Sequence, residues 1–114
     1  MYKTKEQLKT VTRLNYEGKD RMYLTNLADF EEKNRKLKTF AFAQLKPGEE
    51  VGFHIHEGES ESYYILSGKG IYTDNDTQVE ISEGASTLTL SGEGHALKNT
   101  GEEMLEFIAL ILLD

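Results

Sequence analysis

The spacing of glycine is the feature that most restricts how this chain can fold. Nine of the ten glycines lie between positions 48 and 101, and the single proline, Pro47, stands at the start of that stretch. Short apolar runs lie between these residues. Glycine and proline end strands and permit tight turns, so this alternation of turn residues and apolar runs is typical of an antiparallel all-β domain.

The apolar runs are the predicted strands. In 39–45, Phe40 and Phe42 alternate with Ala41 and Ala43, which is the two-residue period of a strand. A chain with about eight such strands closes into a sandwich or a barrel, because closure removes exposed sheet edges. The predicted strands are 39–45, 51–56, 61–66, 70–73, 78–82, 86–90, 95–99 and 104–113.

The start of the chain is predicted to be an appendage to this barrel. Residues 1–38 are expected to form an N-terminal extension that packs on the barrel formed by residues 39–114. One further strand is predicted at 21–28. A short helical turn is predicted within 26–38, because Asn26 is a good helix cap and a weak apolar stripe follows it. The polar first residues are expected to fray.

Charge and cysteine content exclude several functions. The formal net charge is −7 and the isoelectric point is about 5.0. A net-acidic surface repels phosphate groups, so neither nucleic acid nor a membrane surface is expected as a partner. The chain has no cysteine. Disulfides, thiol nucleophiles, cysteine-based zinc fingers and iron–sulfur clusters are therefore excluded.

Length and apolar patterning set the broad class. A chain of 114 residues corresponds to one domain. Its longest apolar run, 107–113, is far shorter than the roughly 20 residues that span a bilayer. No signal peptide is visible at the N-terminus, so a cytoplasmic location is the expectation.

The histidines carry the chemical signal. The chain has three, His54, His56 and His95. On one strand, His54 and His56 would project from the same face, with Cα atoms roughly 6.5–7 Å apart. Glu61 follows on the predicted returning strand of the same hairpin, and His95 would have to come from a distant strand. The ordinary alternative is that these histidines are hydrogen-bonded core or surface residues, because a His-x-His pair alone is weak evidence.

Three imidazoles and one carboxylate suit a divalent transition metal such as Mn, Fe, Co, Ni, Cu or Zn. An octahedral ion held by four such groups keeps two positions for water, substrate or oxygen. With neutral histidines and one carboxylate, the centre would carry a net positive charge and act as a Lewis acid.

Two spacing patterns resemble the motifs of the cupin superfamily. The first motif is Gly, five residues, His-x-His, three or four residues, Glu, six residues, Gly. The second is Gly, five residues, Pro-x-Gly, two residues, His, three residues, Asn, and Leu90 stands here in place of its proline. The matching residues are Gly48, His54, His56, Glu61 and Gly68 in the first motif and Gly84, Gly92, His95 and Asn99 in the second.

The resemblance implies a double-stranded β-helix, a conical jelly-roll barrel. It also implies one metal ion in the barrel lumen, bound by His54, His56, Glu61 and His95. All four ligand positions are present. The missing proline affects only the stiffness of the turn before His95, and Gly92 and Gly94 have the conformational freedom to form that turn.

Residues around these ligands suggest the rest of the site. If Glu61 points inward, Tyr63 and Ile65 share its face. The Tyr63 phenol could hydrogen-bond a substrate or transfer a proton, whereas the ordinary alternative is a core aromatic residue whose hydroxyl reaches water. Glu57 and Glu59 are interpreted as solvated turn residues.

No cationic anchor is predicted beside the metal, because the arginines lie outside both motifs and the nearby lysines flank turns or face away from the lumen. This argues against a sugar-phosphate isomerase without excluding one, because Arg21 could enter the lumen from the N-terminal strand. The last predicted strand is apolar on both faces. One face would fill the barrel and the other would meet another element or another subunit. Because cupins commonly dimerise through their sheets, the resemblance implies a homodimer.

Three functions fit these features. The first is a small metal-dependent enzyme, of oxygenase, isomerase or decarboxylase type, that acts on a small organic molecule in the barrel lumen. The second is a metal-dependent module that binds or senses a small molecule without turnover. The third is a metal that only stabilises the barrel. The sequence favours the enzyme narrowly.

Overall fold

The computed structural model describes residues 2–15, 20–28 and 36–114. These residues form two antiparallel β-sheets, which confirms the predicted all-β jelly roll. None of the described residues belongs to a helix that is long and apolar enough to cross a membrane. After a short 3-10 helix (Lys5–Gln7), the strands are β1 (Thr10–Asn15), β2 (Asp20–Asn26), β3 (Leu37–Leu45), β4 (Glu50–Ile55), β5 (Glu59–Ser67), β6 (Lys69–Asp74), β7 (Thr77–Ser82), β8 (Ser86–Thr89), β9 (Gly94–Asn99) and β10 (Leu105–Leu113).

The two sheets differ in size and share one core. The larger sheet has the strand order β1-β2-β3-β10-β5-β8, and the smaller has the order β4-β9-β6-β7. Buried side chains of both sheets belong to a single apolar cluster, so the sheets pack face to face. At its centre, Phe107 of β10 is fully buried and lies opposite Ala43 of β3 and Ile65 of β5.

One predicted pairing is wrong. The segments 51–56 and 61–66 do not form a hairpin: β4 pairs with β9 in the smaller sheet, whereas β5 pairs with β10 and β8 in the larger one. The short connection after β4 instead crosses between the sheets, with Gly58 at a φ of +73°. Proximity in sequence suggested a local hairpin, but the long-range pairing with β9 determines where β4 lies.

The N-terminal segment adds two strands to the larger sheet. The predicted strand at 21–28 corresponds to β2, which pairs with β3, and Leu24 lies opposite Ala43. The sequence did not predict β1, although Thr10, Val11 and Thr12 are β-branched and favour a strand. Asn26 lies in β2 and β3 begins at Leu37, so both ends of the predicted helical turn are extended; positions 29–35 lie outside the described residues.

The outer face of the larger sheet remains apolar. On β10, Leu105, Phe107 and Ala109 are buried, whereas Ile108 and Leu110 on the opposite face are half-buried. Around them are exposed apolar side chains of neighbouring strands, Phe40, Tyr64, Leu66 and Leu88, and Leu112 near the end of β10 is exposed as well. Within the described residues, the second face of β10 is therefore only partly covered.

Candidate metal centre

The structure brings together the four residues that the sequence singled out. One ligand atom from each of His54, His56, Glu61 and His95 lies within 4.8 Å of the others. His54 is in β4, and His56 directly follows that strand. His95 is in β9, where it lies opposite His54. Glu61 comes from β5 in the other sheet. The group therefore joins the two layers at one end of the barrel.

A β-bulge aims His54 into the barrel. Val51 lies opposite Leu97 and His54 lies opposite His95, so β4 contains one more residue than β9 between these two pairs. Such a bulge lets two residues at odd spacing face the same side. Val51 can therefore fill the core while His54 faces the site, and Phe53 turns outward to an exposed position. The bulge also places the Gly52 carbonyl 2.7 Å from His54 Nδ1.

Hydrogen bonds fix which nitrogen of each histidine faces the centre. His54 donates its Nδ1–H to the Gly52 carbonyl, and His56 donates its Nδ1–H to the Glu59 carboxylate at 2.6 Å. His95 Nδ1 lies 3.0 Å from the hydroxyls of both Tyr72 and Thr89. In the neutral imidazoles of His54 and His56, the Nε2 lone pairs therefore face the centre, and Nε2 of His95 lies at the same point, where a metal ion would be bound.

The distances fit an octahedral ion. The three Nε2 atoms lie 3.1 Å from one another, and Glu61 Oε1 lies 3.0 Å from those of His56 and His95. Ligands at about 2.1 Å from an ion are about 3.0 Å apart when adjacent in an octahedron, but about 3.4 Å apart in a tetrahedron. The spacing therefore matches that of groups bound to one ion, which His54, His56, Glu61 and His95 would hold together.

The carboxylate of Glu61 attracts positive charge to this point. Burial opposes its ionisation, but hydrogen bonds from His56 and His95 outweigh burial and lower the pKa of Glu61 to about 2. The hydrogen bond with Glu61 in turn raises the pKa of His56. For His54, burial and the neighbouring imidazoles lower the pKa. Glu61 is therefore an anion across the physiological pH range, as a metal ligand must be.

Glu59 corrects a sequence interpretation. It is buried rather than solvated, and its two oxygens accept hydrogen bonds from two different groups. Oε2 lies 2.6 Å from His56 Nδ1, and Oε1 lies 2.6 Å from the Lys38 ammonium. Burial opposes ionisation of Glu59, but the bonds from Lys38 and His56 lower its pKa. Strand alternation could have identified this residue, because Glu59, Glu61 and Tyr63 share one face of β5.

Aromatic residues hold His95 in place. Tyr63 is buried and its ring stacks on the His95 ring, with centroids 5.0 Å apart and an interplanar angle of 22°. Burial and the nearby Glu61 carboxylate raise the pKa of the Tyr63 phenol well above 10. Tyr72, which the sequence did not single out, contacts the other side of the His95 imidazole through its hydroxyl. The phenol of Tyr63 is therefore a protonated hydrogen-bond donor at neutral pH.

Asn99, the asparagine of the second motif, has a structural role. The Asn99 side-chain amide is buried and donates hydrogen bonds to the carbonyls of Leu45 and Glu103, both at 2.8 Å, while its oxygen accepts one from the Gly101 amide. Asn99 thereby joins the end of β9 to β3 and to the turn before β10.

Three of the four candidate metal ligands, His54, His56 and Glu61, line a cavity of about 210 Å³. Contrary to the sequence expectation, cationic side chains line it: Arg13 of β1 and Lys38 of β3 share its wall with His54, His56 and Glu61. Arg21, the other arginine of the β1–β2 pair, is exposed and does not line it. The sequence missed Arg13 because it lies far from both motifs and in an unpredicted strand.

Comparison with known proteins agrees with this architecture. The family model described as "Cupin domain" matches residues 41–111. An "Oxalate-binding protein" of Thermotoga maritima is 45% identical over 96 residues, which cover 84% of this chain and 79% of that protein. A crystal structure from Thermotoga maritima, described as a "predicted oxalate decarboxylase", superposes with a TM-score of 0.90 at 39% identity and covers all of both chains.

More distant structures share the fold alone. A polyketide cyclase from Streptomyces resistomycificus has a TM-score of 0.76 at 13% identity, and the match covers 99% of this chain and 78% of that one.

Four findings point to the same family: the motif spacing, the two-sheet jelly roll, the clustered histidines and the family match over residues 41–111. This chain belongs to the cupin family.

Proposed function

We propose that this chain is a metal-dependent binding protein for a small dicarboxylate such as oxalate. A divalent transition ion would be held by His54, His56, Glu61 and His95. The observation that carries the proposal is the convergence of three Nε2 atoms and one carboxylate oxygen at spacings of 3.0–3.1 Å. When bound, the ion supplies a Lewis-acid centre with open positions for an oxygen ligand.

The size and charge of the cavity support a small anionic ligand. A volume of about 210 Å³ is below the range of about 300–1,000 Å³ that is typical of drug-sized ligands. Neutral imidazoles, the carboxylates of Glu59 and Glu61, the cations Arg13 and Lys38 and a divalent ion would together leave two positive charges. A dianion neutralises them. The name of the Thermotoga maritima relative, "Oxalate-binding protein", agrees with this ligand class.

An open cavity argues against a purely structural ion. His54, His56 and Glu61 themselves line the cavity wall, so the proposed ligand side chains are accessible from it. A structural site would have its open positions filled by side chains.

A second candidate function is a small metal-dependent enzyme, and a decarboxylase is favoured among the reaction types by the "predicted oxalate decarboxylase" structure at 39% identity. Decarboxylation of oxalate breaks the C–C bond, releases carbon dioxide and requires a proton on the remaining carbon to give formate. The described carboxyl groups of the cavity, Glu59 and Glu61, both have lowered pKa values and are anions at neutral pH.

The Tyr63 hydroxyl, which lines the cavity together with that of Thr39, is also a poor proton source. The raised pKa of Tyr63 keeps its proton on the phenol, which favours a role in orienting Glu61 over proton transfer. We therefore rank binding above catalysis, and Tyr63 is the residue we would assign to the reaction if turnover exists.

The test combines metal analysis with calorimetry. Protein purified without a metal-affinity tag should contain about one transition ion per chain by elemental analysis, and His54→Ala should remove it. Isothermal titration should detect oxalate binding to the loaded protein and none after chelation. Glu57→Gln, an exposed change on the connection after β4, is the control. Unchanged metal content in His54→Ala, or oxalate binding that is independent of metal, contradicts the proposal.

Turnover is tested separately. Loaded protein is incubated with oxalate, and formate and carbon dioxide are measured against a control that contains free metal and no protein. Formate production above that control would assign the chain to the second candidate function.

A further inference from the structure

Arg13 lies on the wall of the candidate metal cavity but outside the region that the family model matches, 41–111. It belongs to β1, where it is directly opposite Met22 of β2. Residues opposite each other in an antiparallel pair project from the same face of the sheet. Met22 is buried and lines the same cavity, so the strand register independently directs Arg13 toward it.

The two cations of the cavity differ in their partners. The Lys38 ammonium is bound to Glu59 Oε1 at 2.6 Å, and that carboxylate also holds His56. Arg13 makes no hydrogen bond or ion pair with any residue in the part of the chain that the structure describes. The N–H donors of its guanidinium are therefore available to bind a ligand in the cavity.

We infer that Arg13 is the specificity-determining residue for the ligand: it binds a carboxylate of the dianion, while the metal centre binds the ligand's other oxygens. This inference rests on the proposed function. A guanidinium is planar and presents paired N–H donors that match the two oxygens of a carboxylate. A monoanion can occupy the metal but leaves Arg13 without a partner, so the pair of anchors selects for two carboxylates.

The cavity is thus built from two parts of the chain. The cupin motifs supply the side chains that would bind the metal. The N-terminal β1–β2 pair supplies the charged group that would bind a carboxylate of the small molecule. This arrangement separates metal affinity from ligand choice, because changing Arg13 leaves all four proposed ligand side chains and their hydrogen bonds intact.

The experiment compares Arg13→Gln with Arg21→Gln in the metal-loaded full chain. Arg21 lies beside Met22 in the same strand pair and is exposed like Arg13, but it does not line the cavity, so its substitution removes the same charge without changing the wall. Oxalate and formate are titrated by calorimetry, and metal content is measured for each variant. Arg13→Lys, which keeps the charge but loses the fork of donors, is the second variant.

Arg13→Gln should weaken oxalate binding at least about 10-fold, the loss expected for a hydrogen bond to a charged group. Formate affinity and metal content should match those of Arg21→Gln, and Arg13→Lys should lie between. Equal oxalate affinities in Arg13→Gln and Arg21→Gln overturn the inference, as does an equal loss for oxalate and formate. If the wild-type loaded protein binds no oxalate, the proposed function fails as well; oxalate binding that Arg13→Gln leaves intact overturns this inference alone.

Discussion

Substitution of Glu59 tests whether the hydrogen bonds around the histidines set metal affinity. In the structure, one oxygen of Glu59 accepts the Nδ1–H of His56 and the other accepts the Lys38 ammonium, both at 2.6 Å. Glutamine offers one oxygen and one NH₂ group. Glu59→Gln can therefore satisfy only one of these two donors, and Glu59→Ala satisfies neither.

The magnitude follows from which donor is lost. The Lys38 side chain is 52% exposed, whereas that of His56 is 7% exposed. Lysine can therefore be rehydrated, and the amide oxygen of Glu59→Gln should remain with His56. Loss of a hydrogen-bond partner behind a metal-bound histidine costs about 10- to 100-fold in metal affinity. We expect about 100-fold for Glu59→Ala, which removes the partner of His56, and about 10-fold, or about 1.4 kcal/mol, for Glu59→Gln, which keeps the hydrogen bond but loses the negative charge.

A competition titration with a chromogenic chelator at pH 7.5 measures these affinities. Glu57→Gln is the matched control, because Glu57 is exposed and lies two residues away with the same charge. Thermal unfolding of each metal-free variant establishes that it is folded. Affinities of Glu59→Gln and Glu59→Ala that equal that of Glu57→Gln would refute the reasoning, because Glu59 would then contribute nothing to the orientation of His56.

Four further outcomes are expected. Metal content after equilibrium dialysis should fall as pH drops below about 6.5, because protons compete for the imidazoles, and full metal retention at pH 5 would contradict this competition. As the pH falls, His56, whose pKa is raised by Glu61, should protonate before His54, whose pKa is lowered by burial. Phe107→Ala should lower the free energy of unfolding by about 3–5 kcal/mol in urea, and a loss below about 1 kcal/mol would be inconsistent with its central packing. Gly68→Ala should destabilise the chain more than Gly48→Ala, because both glycines have a positive φ (+90° and +84°) but only at Gly68 would a Cβ meet a backbone oxygen, at 2.7 Å; equal unfolding midpoints would show that the clash is relieved. The apolar outer face of the larger sheet should hold a homodimer together, and a monomer in sedimentation at micromolar concentration counts against it.

The sequence predicted most of the fold because its signals are local. Glycine positions marked the turns, and alternation in segments such as 39–45 marked strands that the structure confirms. The pairing of β4 was wrong because its partner, β9, lies about forty residues away. Strand β1 was not predicted at all, although its pairing with β2 is local. Local alternation identifies a strand but not its partner, and the closest strand in sequence was the wrong choice for β4.

The candidate site was predicted only in part. His54, His56, Glu61 and His95 could be found because two motif spacings carry them, and the structure brings them together. The groups behind and around them could not be found that way. Thr89 and Tyr72 contact His95 only because of the strand register, and the bulge in β4 cannot be read from alternation.

The four clustered side chains belong to different layers of the barrel. His54 and His95 come from the smaller sheet and Glu61 from the larger one, so an ion held by all of them would cross-link the layers in a chain that has no cysteine for a disulfide. Separating the sheets would then require coordinate bonds to break. The free energy of unfolding would then depend on the free metal concentration. It would rise by about 2.7 kcal/mol when the free ion is at 100 times its dissociation constant.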